Sequence, residues 1–480
     1  MELYPHQQTA LEETRQYSRV AYYLDMGLGK TFVGSEKMRE LNSPVNLIVC
    51  QKSKVEDWEK HMIENYAMDH CWIIYNLTDK KDFERFFKEV KTRKSGDPTV
   101  CGIINYDLLF RRAEIAHLTG FTLMLDESSI IQNEGAKRSK FVLGLHPDNV
   151  ILLSGTPTAG KYEKLWSQLH LLGWGISKDL FYKQYVTTEW MEDSQSGFRI
   201  KVVTGYKNVD RLKAKLTQHG AVFMKSEDVF TLPEQSFISV TSKIPGCYKK
   251  FMRDDVITID GREYVGDTTL SKRIYARMMC SFLNRERVTA FVDLVHSTED
   301  RLIVFYNFNE ELNTMLEALT TYTGEMERPC SIINGEKNDL TAYDQYENSI
   351  TFIQYQAGSM GVNLQKANKI IYFSLTDRSE LFEQSKKRIH RIGQTQPCFY
   401  YQMICPGTVE EDILEALKMR KDYTDELFKA YQAAHHCSPH YPFLGHYRPD
   451  LFGCWVCNRR DFPFQQAQNR NPDLWPRGGR

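Results

Sequence analysis

Seven short apolar runs, each stopping at a turn or at a chemistry-bearing residue, constrain this 480-residue chain more than any other feature. They are Leu47–Cys50, Cys101–Ile104, Phe121–Leu125 and Val150–Leu153 in the first half, then Leu302–Tyr306, Thr351–Tyr355 and Lys369–Phe373 in the second. Runs this short and this rich in β-formers read as strands buried on both faces, the habit of parallel sheets. Helical-period stretches lie between them: Val55–Tyr66, Asp82–Lys91, Lys161–Leu172 and Glu310–Thr320. Strand and helix alternate within each half, so each half is expected to form a doubly wound α/β lobe. Met224–Pro233 reads as the exit segment and linker, and Tyr275–His296 as helix leading into the second sheet. The length fits more than one lobe, because single cores stop growing well short of it.

Met26-Gly-Leu-Gly-Lys-Thr31 sits at the end of one expected strand. Tyr23-Leu24 should close that strand, Asp25–Gly29 should turn, and Lys30-Thr31 should open a helix. Glycines at 27 and 29, on either side of Leu28, let backbone N–H groups face a phosphate without Cβ clashes. The helix N-terminus adds partial positive charge. Lys30 would reach the β- and γ-phosphates of ATP, and the Thr31 hydroxyl would ligate Mg2+. The strict eight-residue phosphate-loop pattern fails, since Leu24 occupies its first glycine position, and a glycine-rich turn with a surface lysine is the bland alternative. Asp126-Glu127 directly follows Phe121–Leu125, where ligand sites of open α/β sheets lie. Asp126 suits the magnesium, often through water, and Glu127 the polarising of an attacking water. An acid-rich helix start would be the ordinary reading of two such carboxylates alone. Far along the chain, Gln384–Pro397 carries Arg388 and Arg391 on one helix face. Arginines supplied by a second lobe to a phosphate loop in the first describe an ATPase that closes a cleft.

Bulk composition leaves the partner open. The chain is 42% hydrophobic and 26% charged with a formal net charge of −1, so any polyanion site must be a local basic groove. No run approaches the roughly 18 apolar residues of a membrane span. Met-Glu-Leu-Tyr-Pro-His-Gln lacks the basic and apolar regions of a secretory signal. Eight of the eleven cysteines are scattered from Cys50 to Cys405 without framework spacing, which suits a reducing compartment. Composition shifts after about Ala430: residues 431–480 hold six of the sixteen prolines, no lysine, and six arginines against three acids. That stretch reads as a separate appendage, a small stapled module or a loose tail.

The order of these motifs resembles the Swi/Snf-type ATP-dependent DNA translocases of helicase superfamily two, in a compact bacterial or phage-like form. Pro5-His6-Gln7 is similar to that family's adenine-reading glutamine segment, Asp25–Thr31 to its ATP loop, and Leu47–Trp58 to its next strand and helix. Leu125–Ser129 stands in the DEAH-type box. Leu152–Pro157 with Glu163–Trp166, Ala357–Leu364 and Gln384–Thr395 resemble the later motifs, so the likeness runs from about residue 3 to 425. Three departures stand out: Ser129 replaces a histidine thought to couple the ATP site to the lobe interface, Lys387 sits where an acid is common, and Gln51 replaces a proline.

The resemblance implies two tandem RecA-like lobes with an ATP cleft between them: residues 1–228, residues 229–430 with the linker, and the appendage 431–480. It implies that Arg388 and Arg391 meet the γ-phosphate on closure, where arginine stabilises the spreading charge. Gln384, His390 and Gln394 would organise the interface, and Gly361 would allow close approach of its loop to nucleotide or nucleic acid. A DNA strand crossing both lobes would be held at its phosphates. The candidates are Lys52, Ser53, Asn105, Tyr106, Asn307 and Asn334, residue types that more often cap or turn.

In the appendage, Cys437-x-x-His440 and Cys454-x-x-Cys457 are two pairs spaced for a tetrahedral structural Zn2+. A short proline-rich segment buries little core, so a metal would be a plausible staple. His435, His436 and His446 are rival ligands, and a tail with an incidental cysteine pair is the alternative. Arg459 and Arg460 beside the second pair would then favour contact with DNA or a partner. The expected function is ATP-dependent movement on, or remodelling of, double-stranded DNA inside the cell, in the nucleoid or in phage-infected host cytoplasm. Single-stranded or branched DNA are further substrates to weigh. A strand-separating DNA or RNA helicase is the alternative, disfavoured because no obvious strand-splitting hairpin is visible. A nucleotide-gated DNA-binding scaffold with little turnover is the other, kept open by Ser129.

Overall fold

The apolar runs of the first half assemble into one wholly parallel, seven-stranded sheet. Its strands are β1 (Arg19–Leu24), β2 (Val45–Cys50), β3 (Ile73–Asn76), β4 (Val100–Asn105), β5 (Phe121–Asp126), β6 (Asn149–Leu153) and β7 (Ala221–Met224), in the spatial order β3-β4-β2-β5-β6-β1-β7. Every residue of β2 and β4 is buried, as covered faces on both sides require. The structure, a computed structural model, describes residues 2–420 apart from 69, 159, 193–198, 321–323 and 358–362.

Strand register places the acids beside the glycine loop. Asp126 pairs with Leu153 across β5 and β6, and Leu153 pairs with Tyr22 across β6 and β1. The acidic pair and the glycine loop therefore leave the same sheet edge, two strand spacings or about 10 Å apart. β6 lies between them and delivers Ser154.

The second sheet begins after a linker that holds a short helical turn, Ser226–Val229. It comprises β8 (Gln235–Thr241), β9 (Leu302–Tyr306), β10 (Cys330–Ile333), β11 (Asn338–Asp339), β12 (Ile350–Gln354), β13 (Lys369–Tyr372) and β14 (Cys398–Ile404), ordered β8-β14-β13-β9-β12-β10-β11. All pairings are parallel except that of the edge strand β11. The expected class, two tandem RecA-like α/β lobes, is what forms.

Differences arise where local geometry overrides periodicity. Tyr275–His296 is not one helix: Thr269–Cys280 ends at Ser281 (φ −94, ψ −103), and Arg285–His296 restarts with the Asn284 side chain accepting the Arg287 N–H. The break buries Arg287 in the second lobe, where its guanidinium makes a two-pronged ion pair with Glu410. Lys161–Leu172 divides into a 3-10 turn, Tyr162–Leu165, and a helix, Trp166–Leu171.

Two antiparallel hairpins depart from the sequence expectation. Val256–Ile259 pairs with Arg262–Val265 around Asp260-Gly261, both at positive φ (49° and 79°), the Asp-Gly signature of a tight type I′ turn. Val186–Glu192 pairs with Arg199–Tyr206 and leaves the Trp190 side chain 67% exposed. Neither hairpin was foreseen in the sequence, where Val186–Glu192 does not alternate strictly between apolar and polar residues.

Candidate active site

The glycine loop joins β1 to α1 (Lys30–Leu41). Gly27 and Gly29 both take left-handed backbone, at φ +91 and +75, conformations that suit glycine. Lys30 Nζ folds back on its own loop, donating to the carbonyls of Leu24 (3.0 Å) and Asp25 (3.2 Å). Burial lowers the Lys30 pKa, while Glu127, Asp25 and Asp126 favour its charged form and Arg391 opposes it. The ammonium thus sits among carboxylates in a cleft whose lining also carries Lys54, Arg388 and Arg391.

Asp126 ends β5, and its Oδ2 accepts the Trp58 indole N–H at 2.8 Å. Trp58 lies on α2 (Val55–Met62) and is a site residue that sequence reasoning missed, since nothing local to it signals a contact 68 residues away. Glu127 sits in left-handed backbone at φ +55, a conformation costing a non-glycine residue about 1–2 kcal/mol. Its Oε1 accepts two hydroxyls, Ser129 at 2.8 Å and Ser154 at 2.9 Å. Burial raises the pKa of both acids; Lys30 and these hydrogen bonds counter it in Glu127, and the Trp58 bond and Lys30 counter it in Asp126.

The opposite wall comes from the second lobe. Helix α3 (Ser379–Lys386) leads into Lys387, Arg388 and Arg391. Arg388 is 3% exposed; burial and the neighbouring Arg391 push its pKa down to about 10, Glu127 opposing, so it stays charged at neutral pH. A Cβ on Gly27 would lie 4.0 Å from the Arg391 Cβ. Gly27, Gly29, Lys30, Thr31, Asp126, Glu127, Gln384, Arg388 and Arg391 together line one cleft of about 420 Å³. Lys387 Nζ lies 2.8 Å from Asp25 Oδ2, and His390 Nε2 is 2.9 Å from the Pro233 carbonyl of the linker.

Other expected site residues are placed differently. Gln7 is buried behind the loop: its amide donates to the Leu28 carbonyl at 3.2 Å and its oxygen accepts the Tyr4 N–H at 3.0 Å. It supports Gly29 and is outside the cleft lining, as is the buried Leu28. Gln394 does not organise the lobe interface; its amide donates to the carbonyls of Gln365, Ala367 and Ile389 within the second lobe. Gly361 lies outside the described residues. So do Cys437, His440, Cys454 and Cys457; among the described residues no group of three or more His, Cys, Asp or Glu is arranged to hold a metal.

Of the nucleic-acid candidates, Lys52 and Asn105 line a second groove of about 480 Å³ with Thr78 and Arg111, at the ends of β2, β3 and β4. Ser53 is exposed beside them. Tyr106 is corrected: it is buried, and its hydroxyl donates to the Asp126 backbone carbonyl at 2.9 Å, so it braces the acidic pair from inside. Asn307 donates to Ser374 Oγ at 2.7 Å, and Asn334 accepts the N–H groups of Glu336 and Lys337. Each holds a turn of its own lobe.

A glycine loop with an acidic pair on one wall and two arginines on the other define a two-lobed α/β protein built around a single cleft. This chain belongs to the SNF2-related domain family, whose family model matches residues 23–279, and a helicase conserved C-terminal domain matches residues 286–393. The resemblance drawn from the motifs is borne out. Similar proteins include the ISWI chromatin-remodeling complex ATPase ISW2 of Saccharomyces cerevisiae, 21% identical over 445 residues, covering 83% of this chain and 38% of that one. The DNA excision repair protein CSB of Oryza sativa is 22% identical over 466 residues, 84% of this chain and 39% of that protein. Among solved structures, the Sulfolobus solfataricus SWI2/SNF2 ATPase core in complex with dsDNA is similar at 19% identity and a TM-score of 0.40, over 91% of this chain and 95% of that one. The chain spans less than half the length of the ISW2 and CSB relatives. Among the described residues, no helix is long and apolar enough to cross a membrane.

Proposed function

We propose that the chain is an ATP-dependent motor that moves along double-stranded DNA, or remodels what is bound to it, by closing and opening two lobes on each turnover. The observation that carries this reading is the joint lining of one cleft by Lys30, Asp126 and Glu127 from the first lobe and Arg388 and Arg391 from the second. In it, Lys30 and the loop N–H groups hold the phosphates, and Glu127 orients the attacking water and accepts its proton. Arg388 and Arg391 stabilise charge developing on the transferred phosphoryl oxygens. Thr31 and Asp126 are hard oxygen donors of the kind Mg2+ takes, and the Trp58 N–H fixes the carboxylate's orientation. Magnesium would supply charge neutralisation on the phosphates.

The DNA path in this reading crosses the first lobe at Lys52, Ser53 and Asn105. Residues 1–228 and 229–430 act as the two lobes, inside the cell. Residues 431–480 form an appendage in which Cys437, His440, Cys454 and Cys457 hold zinc; a chelator should then release about one equivalent. The test of function is the polymer dependence of ATP hydrolysis. Strong stimulation by duplex without appearance of separated strands supports the proposal. Rates indifferent to duplex, single strand and RNA would favour a binding scaffold instead. One observation favours a second reading, strand separation: the Val186–Glu192/Arg199–Tyr206 hairpin presents an exposed Trp190, as a base-stacking wedge would. Release of a strand from a forked substrate, lost in Trp190→Ala, would favour it.

A further inference from the structure

Asp25, in the glycine loop, has a side chain that reaches out of the first lobe. Its Oδ1 accepts the Met26 N–H at 3.1 Å and its Oδ2 the Ser226 N–H at 3.3 Å, at the start of the linker. The same Oδ2 lies 2.8 Å from Lys387 Nζ, and the pair is largely covered, at 16% and 15% side-chain exposure. The Asp25 backbone carbonyl meanwhile accepts from Lys30 Nζ. One residue thus touches the loop lysine, the linker and the second lobe, and Lys387 is bonded in sequence to Arg388. We propose that the Asp25–Lys387 ion pair is an interlobe latch, and that Lys387 is a positioning residue holding Arg388 and Arg391 over the loop before nucleotide arrives.

The physical case is one of geometry. Each lobe has its own sheet and core, so the lobes can separate without unfolding. Separation breaks the ion pair and returns both groups to water, so the latch is worth their attraction in this partly covered site less the cost of desolvating them. Across the cleft Arg391 repels Lys30, while Glu127 favours the charged forms of Lys30 and Arg388. The opposite charges of Asp25 and Lys387 act at the rim of that same cleft against this repulsion. An acid at position 387 would add to the carboxylates already there.

The inference rests on the reading of the cleft as the ATP site. Its test uses the full chain carrying Lys387→Ala, Lys387→Glu and Lys387→Arg, with Lys30→Ala as a control. Interlobe distance is read without nucleotide by energy transfer between labelled unnatural amino acids at exposed Glu84 and Glu336, alongside the ATP dependence of hydrolysis. The latch predicts a wider interlobe distance and a KM for ATP raised about tenfold in Lys387→Ala. Lys387→Glu should show a larger effect and Lys387→Arg near-parental behaviour. Unchanged distance and KM in the Ala and Glu variants would overturn the latch, while loss of turnover in Lys30→Ala would leave the ATP site standing. If Lys387→Ala instead lowers the melting of the lobes themselves, the residue is structural and the positioning role fails. Retained turnover in Lys30→Ala would count against the cleft reading, whatever Lys387 does.

Discussion

Ser129 Oγ donates to Glu127 Oε1 at 2.8 Å, on the same oxygen that Ser154 reaches from the end of β6. Ser129 therefore holds the catalytic candidate directly, on the oxygen that ties it to the neighbouring strand. Both bonds favour the ionised carboxylate, against a burial that raises its pKa. A general base works only when ionised, so the acid limb of the ATPase profile should fall above the usual glutamate range. Ser129→Ala removes one stabilising donor and should move that limb to higher pH. A pH profile of kcat/KM for both proteins checks the sign, and a shift to lower pH would contradict it.

Arginine and lysine variants should separate chemistry from binding. Lys30→Ala loses the ammonium at the centre of the pocket, and ATP binding and turnover should both fall. Arg391→Ala should leave ATP bound while cutting kcat by about 10³-fold, the scale of arginine stabilisation in phosphoryl transfer. Equilibrium binding of a fluorescent nucleotide, measured beside turnover, tells the two apart.

Trp58→Phe keeps an aromatic ring and deletes the N–H that Asp126 accepts. Without it the Asp126 pKa, already raised by burial, should rise further and hold magnesium less well. Loss of a hydrogen bond to a charged group costs about 1.5–3 kcal/mol, or roughly ten- to a hundredfold in the magnesium concentration needed for half-maximal hydrolysis. Titration with magnesium at saturating ATP reads it.

Gly29→Ala meets two obstacles. Its backbone is at φ +75, and the new Cβ would come within 2.1 Å of Gln7 Nε2. Gln7 must then leave the Leu28 carbonyl, and nucleotide affinity should drop. Adding Gln7→Ala should restore part of it, because the clash goes and only the backbone strain, about 1–2 kcal/mol, remains. Failure of the double variant to improve on the single one would show that Gln7 moves aside at little cost and that its clash with the new side chain is not what lowers affinity.

In the second lobe, Arg287 and Glu410 are buried together, with Glu410 also accepting the Cys405 N–H at 2.9 Å. Arg287→Met should strand the carboxylate and destabilise that lobe by about 3–5 kcal/mol. Denaturant unfolding followed by a probe in the second lobe checks this, and Glu410→Gln in the same background should recover part of the loss.

Much of the site was legible before any fold was known. Lys30, Thr31, Asp126 and Glu127 are neighbours in sequence of the strands that carry them, so a local pattern sufficed: an apolar run, then glycines or acids. The seven apolar runs became strands for the same reason, since a residue buried on both faces must be apolar wherever its partners come from. Misreadings cluster where a single backbone angle or capping side chain decides, as at Ser281–Asn284, or where burial consumes a polar group, as at Tyr106.

The sequence alone determined two α/β lobes and which residues stand at their strand ends, because periodicity and local turn chemistry act over a few residues. Only the tertiary structure decided that Trp58 steadies Asp126, that two serines share one Glu127 oxygen, that Gln7 backs the loop from outside the cleft, and that Lys387 meets Asp25 across the seam. Most of these contacts join positions tens to hundreds of residues apart. They come from strand order and lobe packing, which no local pattern of residues encodes.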